Sequence, residues 1–327
     1  MNVVPTFPLF RGKLMEDANI IVLGIPYDSS QSYGSGSRFA VHYVRIASDS
    51  LEERSSFSHR DVRDVNYSDR GNVDVPFGDR EKAKSVVHEV LDELKPERLL
   101  VIGGDHSITP MVLSRFVEKN LVENYLQLDA HTDFYETFGT PYSHACTLRR
   151  VVEMIKGKAA IMGIRSYPPH HLDELEEYGV IYHTAFEGLP TQRLSRHISV
   201  IGKINYLSID VDVLDPSIAP EVGNPEPLGR SLYDLLRVLS LASTYGDLRV
   251  IDVVEAIPSS ATSTTAITVA YILREALIAL GRAYERRNIF DSVLRDMVPP
   301  VLYPLREAAY FETDSSRRNR SLPTRAR

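Results

Sequence analysis

Asp129-Ala-His131-Thr-Asp133 sets two carboxylates and an imidazole at alternate positions. In extended backbone, alternate side chains share a face, so these three groups would converge on one spot. The arrangement recurs at Asp210-Val-Asp212, followed by Asp215-Pro216, which reads as a turn. Each cluster follows an apolar run, Asn124-Tyr-Leu-Gln-Leu128 in one case and Ile204-Asn-Tyr-Leu-Ser-Ile209 in the other. Crowded carboxylates are costly to bury, through desolvation and mutual repulsion, unless a cation joins them. A metal centre is therefore predicted. Oxygen ligands with imidazole suit Mn²⁺, with Mg²⁺ and Fe²⁺ as further options. The histidines argue against Mg²⁺, and structural zinc would draw more on Cys and His. Up to six ligands from four strand ends favour two ions over one. A pair about 3.5–4 Å apart can share a hydroxide whose pKa is brought near neutrality.

Three further positions extend this chemistry. His106, in Gly103-Gly-Asp-His106, sits where a strand exits and is a candidate ligand. Its neighbour Asp105 is expected to orient the loop. His144 lies just beyond the Asp129–Asp133 cluster and is a candidate proton shuttle. Glu255 ends an apolar run and could hold a cationic group through a charge-assisted hydrogen bond. Taken singly, each has a plain structural reading as well: a satisfied core histidine, a surface histidine and a helix N-terminal charge. Cys146 has no activating context and reads as an ordinary small side chain.

The elements that must position these groups are legible as period. Asn19–Gly24, Arg98–Ile102, Tyr125–Asp129, Lys158–Ile164, Val180–Tyr182, Ile204–Asp210 and Leu248–Val254 read as buried strands. Glu81–Lys95, a segment from Ser107 through Phe116, Ser231–Thr244 and Thr262–Glu285 read as helices, with Ser107 as an N-cap. Alternating strands and helices predict a mostly parallel sheet with helices on both faces. In such sheets ligands bind beyond the carboxyl ends of strands, where every acidic cluster lies.

The 327 residues are 43% hydrophobic and carry a net charge of −7, enough for a full core and without the basic balance of a nucleic-acid protein. A single cysteine excludes an intrachain disulfide. No apolar run long enough for a bilayer and no secretory signal are read, so a cytoplasmic protein is expected. One domain over 1–314 is expected, with a basic, disordered tail over 315–327.

Several motifs together resemble the ureohydrolase family of arginases and agmatinases, from about Gly24 to Leu280. They are Gly24-Ile-Pro-Tyr-Asp28, Gly34-Ser-Gly-Ser-Arg38, Gly103-Gly-Asp-His106, Asp129-Ala-His-Thr-Asp133, Ser208-Ile-Asp-Val-Asp-Val-Leu-Asp-Pro216 and Asp252-Val-Val-Glu255. The resemblance implies an αβα sandwich and two Mn²⁺ per chain. One ion would bind His106, Asp129, Asp133 and Asp210, the other His131, Asp129, Asp210 and Asp212. It implies hydrolysis of a guanidino compound to urea and an amine, with Asp133 relaying a proton to the leaving amine. His144 would stand in the proton path and Glu255 would orient the guanidinium, so both meet substrate. A trimer or hexamer is implied too. The run Asp133–His144 looks like agmatinases, which points to agmatine, giving putrescine and urea in polyamine biosynthesis. Arginase is the alternative, then guanidinobutyrase or formimidoylglutamase. A catalytically silent relative is a rival of another class, disfavoured because all these positions are present; a single-zinc deacylase ranks last. Ala145-Cys146, Val222–Gly229 and Ala256 depart from the family pattern where substrate walls are expected.

Overall fold

The computed structural model describes residues 2–6, 8–11, 17–187 and 191–297. Met1–Glu285 forms one compact unit and Arg286–Arg327 a second. The expected tail, 315–327, and the boundary before it lie outside the described residues.

Among the described residues, nine strands build one sheet: β1 (Val3–Val4), β2 (Ile20–Gly24), β3 (Tyr67–Val73), β4 (Arg98–Ile102), β5 (Tyr125–Leu128), β6 (Ala159–Ile164), β7 (Ile181–Thr184), β8 (Tyr206–Asp210) and β9 (Val250–Val254). Their order is β1-β3-β2-β4-β9-β8-β5-β6-β7. Every pairing is parallel except β1 with β3. The helices are α1 (Ala40–Ser48), α2 (Arg80–Leu94), α3 (Ile108–Glu118), α4 (Thr147–Met154), α5 (His170–Glu177), α6 (Thr191–Ile201), α7 (Leu232–Tyr245) and α8 (Thr264–Met297).

Successive strand residues feed two cores. Val22 and Leu100 pack in the core that also buries Val44 of α1, Leu239 of α7 and Leu273 of α8. Leu23 and Val101 pack in the other, with Val87 of α2, Met111 of α3 and Val151 of α4. Both faces of the sheet are thus covered, which is why most of its strands are largely apolar rather than alternating. The result is the expected three-layer αβα sandwich.

Sheet order decides where the chemistry falls. β4, β9, β8 and β5 are neighbours at the centre although far apart in sequence. Ile102 pairs with Val253, Val253 with Ile209, and Ile209 with Leu128. Within one or two residues of this level all four strands leave the sheet, on one edge.

Four sequence expectations need correction. β3 was not read as a strand, because Tyr-Ser-Asp-Arg-Gly-Asn-Val is too polar to look buried. Its Asp69 and Asn72 face Arg45 of α1, which is fully buried. Helices α1, α4, α5 and α6 were also missed; each spans 11 residues or fewer. Ser107 makes no capping hydrogen bond. Its N–H and hydroxyl donate to Asp105, so the aspartate orders this helix entry. Finally, an 18-residue window of Thr264–Asn288, with mean hydropathy 1.4, is apolar and long enough to cross a bilayer by length and composition, against the expectation that no run reaches that length. Of its most apolar window 78% is buried within the protein, so core packing already covers that surface.

The Arg45–Asp69 pair ties α1 to β3 and thereby the segment entering α1 to the sheet. Arg45 donates to both Asp69 oxygens, at 2.8 and 2.9 Å. Removing one partner of a buried ion pair strands the other charge and costs about 3–5 kcal/mol. Asp69→Ala is expected to lower unfolding free energy by that order in denaturant titration, more than Asp69→Asn does.

Candidate metal centre

Gly103-Gly-Asp-His106 turns sharply off β4. A Cβ at Gly104 would collide with the Tyr27 carbonyl, so glycine is needed for this close backbone crossing. Asp105 is fully buried and accepts from the N–H and hydroxyl of Ser30 as well as from Ser107. It orients the loop, as expected, and leaves His106 aimed across the strand ends.

His106 Nδ1 lies 3.0 Å from Asp133 Oδ2, 3.2 Å from Asp129 Oδ2 and 3.3 Å from Asp210 Oδ2. Its other nitrogen, Nε2, is 2.9 Å from Ser208 Oγ. Ser208 donates to Asp252 Oδ1 and so accepts from His106. That contact protonates Nε2 and leaves the Nδ1 lone pair facing three carboxylates. Nδ1 is buried and makes no hydrogen bond. A lone pair aimed at acceptors is unfavourable unless a cation stands between them, so this donor set fits a metal ion. Asp252 is itself fixed by Tyr206 and Thr109 hydroxyls at 2.6 and 2.8 Å.

Asp129 lies in two candidate ligand groups, His106–Asp129–Asp210 and Asp129–His131–Asp212. Its Oδ2 accepts from Gln127 at 2.6 Å, and Gln127 in turn accepts from Tyr125. His131 Nδ1 is 2.9 Å from Asp212 Oδ2 and 3.7 Å from Asp129 Oδ1. Asp210 stands in the first group alone, while its Oδ1 accepts the Asp212 N–H at 2.9 Å. Asp215 turns away and accepts from Ser217 and Gly229, as its turn reading predicts.

Five of the six expected ligands fall in these two groups, and Asp133 stands outside both, meeting the cluster at His106 Nδ1; strand alternation does not bring them there. β5 ends at Leu128, and Asp133 has a left-handed φ of 47°. Asp212 lies on a 3₁₀ turn, Val211–Val213. Turns fold the later acids back over the strand ends.

The electrostatics match the crowding. Burial, then Asp133 and Asp212, raise Asp129 to about 7. Burial and the neighbouring Asp212 and Asp129 hold Asp210 well above the usual carboxylate range. Burial disfavours charge on His131, but Asp212, Asp129 and Asp133 outweigh it and raise the ring to about 11. Without a metal, protons do the cation's work.

Beside this cluster, Glu255 Oε1 accepts from the His106 N–H at 2.7 Å and lies 3.2 Å from His144 Nδ1. Burial opposes charge on His144, yet Glu255 raises it to about 9. A cavity of about 300 Å³ joins His144 and Glu255 to His131, Asp133, Asp210 and Asp212. Tyr135, Phe138 and Tyr167 wall it, and among the described residues no Lys or Arg lines it. Of the departures noted in the sequence, Ala145 lines this cavity. Asn224 does too, with Nδ2 at 3.3 Å from His131 Nε2. Val222 pairs with Ala256 beside Glu255. Cys146 is buried against the Thr140 carbonyl and takes no part. Two residues that touch the site, Gln31 and Ser32, were not singled out: they sit among small polar residues, with nothing in their spacing to mark them.

The arginase family pattern matches residues 18–279. An agmatinase of Bacillus subtilis (strain 168) is 32% identical over 270 residues, covering 80% of this chain and 92% of that protein. A mitochondrial arginase of Medicago truncatula is 34% identical over 309 residues, covering 84% of this chain and 87% of its own length. Among solved structures, proclavaminate amidino hydrolase from Streptomyces clavuligerus aligns with a TM-score of 0.78 at 27% identity, over 86% of this chain and 99% of that one. With such a match over most of its length, the chain belongs to the arginase family, the ureohydrolases that cleave amidine C–N bonds.

Proposed function

We propose that this protein is a Mn²⁺-dependent agmatine ureohydrolase, releasing urea and putrescine. The observation that carries the substrate choice is the charge of the cavity wall. Asp133, Asp210, Asp212 and Glu255 line it, with aromatic rings and, among the described residues, no Lys or Arg. Agmatine is cationic at both ends and has no carboxylate. Arginine, guanidinobutyrate and formimidoylglutamate each carry a carboxylate, for which the described lining offers no Lys or Arg partner. The agmatinase relative supports the same choice, and the arginase relative makes arginine the alternative.

His106, Asp129, Asp133 and Asp210 would hold one ion, and His131, Asp129, Asp210 and Asp212 the second. Two divalent cations held there supply a nucleophile from water at neutral pH and neutralise the carboxylates. The chain's own groups do the rest. Glu255 accepts from the guanidinium and turns its central carbon toward the cluster. Tyr135, Phe138 and Tyr167 flank the aliphatic chain and exclude water. Asp133 passes a proton to the leaving amine, and His144, paired with Glu255, returns one to the site.

Urea release by the Mn²⁺-loaded chain, compared across agmatine, arginine and guanidinobutyrate, is expected to be fastest by far with agmatine. Preference for arginine would refute the substrate assignment. Asp129→Ala is expected to abolish turnover. At 100 times its Kd, Mn²⁺ should stabilise the wild type by about 2.7 kcal/mol in thermal unfolding and leave this variant unmoved. Because Asp129 is raised to about 7 and His131 to about 11, both hold protons at pH 6 that a metal must displace. Mn²⁺ affinity should therefore rise with pH between 6 and 8, with proton release measurable by calorimetry in buffers of different ionisation enthalpy. Affinity independent of pH would contradict this ligand set.

A further inference from the structure

Two side chains of the segment between Asp28 and Arg38 hold the Glu255–His144 pair. Gln31 Nε2 donates to Glu255 Oε2 at 3.1 Å. Gln31 Oε1 accepts the backbone N–H groups of Gly36 and Ser37, at 2.9 and 3.3 Å. Those two donors fix which end of the amide is oxygen, so its amino group must face the carboxylate. Glu255 Oε1 already accepts from the His106 N–H and faces His144, so Gln31 supplies the partner for the second oxygen.

Backbone closes one flank of this contact. A Cβ at Gly223 would stand 2.8 Å from Glu255 Oε2 and 3.3 Å from Gln31 Nε2. Gly223 is held in place by hydrogen bonds from its N–H to the Glu255 carbonyl and from the Gly34 N–H to its own carbonyl. Glu255 itself has φ of 66°, a left-handed conformation that a glutamate keeps only when its surroundings impose it. Ser32 acts on the other member of the pair. Its Oγ lies 3.0 Å from His144 Nε2. A hydroxyl both donates and accepts, so the ring keeps this partner whether or not Nε2 carries a proton. Ser30 completes the hold, accepting the His144 N–H while donating to Asp105.

We propose that Gln31 and Ser32 are positioning residues for the reaction: Gln31 sets the Glu255 carboxylate that receives the guanidinium, and Ser32 sets the His144 ring. The role of Gln31 in turnover rests on the reading of Glu255 given above, whereas the contacts themselves do not.

The test uses the full-length, Mn²⁺-loaded chain and agmatine, with Gln31→Ala, Gly223→Ala, their double variant, Ser32→Ala and Ser32→Thr. Gln31→Ala removes the tether, and Gly223→Ala crowds both atoms of the same contact. Each is expected to raise KM on the order of tenfold, with a smaller change in kcat, as for loss of a hydrogen bond to a charged group. Because both act on one contact, the double variant should be little worse than the poorer single one. Ser32→Ala should lower kcat severalfold, and Ser32→Thr, which keeps the hydroxyl, should restore it. KM unmoved by Gln31→Ala, or fully additive effects in the double variant, would overturn the proposal. A wild type that releases urea from arginine but not agmatine overturns the substrate reading instead, and the same variants are then scored on arginine. A substrate-free readout runs in parallel: Ser32→Ala should shift the His144 imidazole nitrogen resonances in ¹⁵N-labelled protein, and no shift would sink the Ser32 assignment.

Discussion

Buried negative charge must be matched by positive charge, and the centre of this molecule is arranged around that constraint. Asp129, Asp133, Asp210 and Asp212 are all buried within reach of one another's fields. Repulsion and desolvation would push such a group apart or protonate it. Two things keep it together. The sheet brings the ends of four adjacent strands to one edge. Beneath the acids, Tyr125–Gln127 and Tyr206–Asp252–Ser208 form hydrogen-bonded supports that orient Asp129 and His106. Those supports lie inside the parallel strands, on positions that a purely apolar core would fill with Leu or Val. Their polarity is tolerated because each group is satisfied.

The same supports explain how His106 presents a ligand atom to the acids. Asp252 draws the Ser208 hydroxyl, Ser208 draws the Nε2 proton, and the remaining lone pair points into the acid cluster. A ring held this way has its ligand atom aimed before any ion arrives. Glu255 and His144 occupy the adjoining wall, linked to the cluster through the His106 backbone N–H. On the proposed function, a cationic substrate end entering the cavity would meet a carboxylate already fixed on several sides. Such tethering would let one glutamate orient a planar guanidinium rather than merely attract it.

Much of this was legible in residue order. Apolar runs of five or six residues ending in Asp or Gly marked the central strands, since a strand buried on both faces admits few polar side chains. The acids stood out because each broke such a run at its end. β3 was not legible: its Asp69 and Asn72 are polar for the sake of Arg45, a partner 24 positions from Asp69. Gln31 was not legible either, since its contact with Glu255 spans 224 positions.

Composition and spacing by themselves determined the layered α/β class, the strand ends that carry acids and imidazoles, and the hard-ligand chemistry those groups imply. These follow from local rules: burial sets hydrophobic period, and clustered carboxylates call for cations. Only the tertiary structure decided that β4, β9, β8 and β5 lie side by side. It also decided that turns at Asp133 and Val211–Val213, not strand alternation, gather the ligands, and that Gln31 and Ser32 face Glu255 and His144. Sheet order and loop placement come from the packing of segments distant in sequence, and no local pattern records which distant partner a side chain will meet.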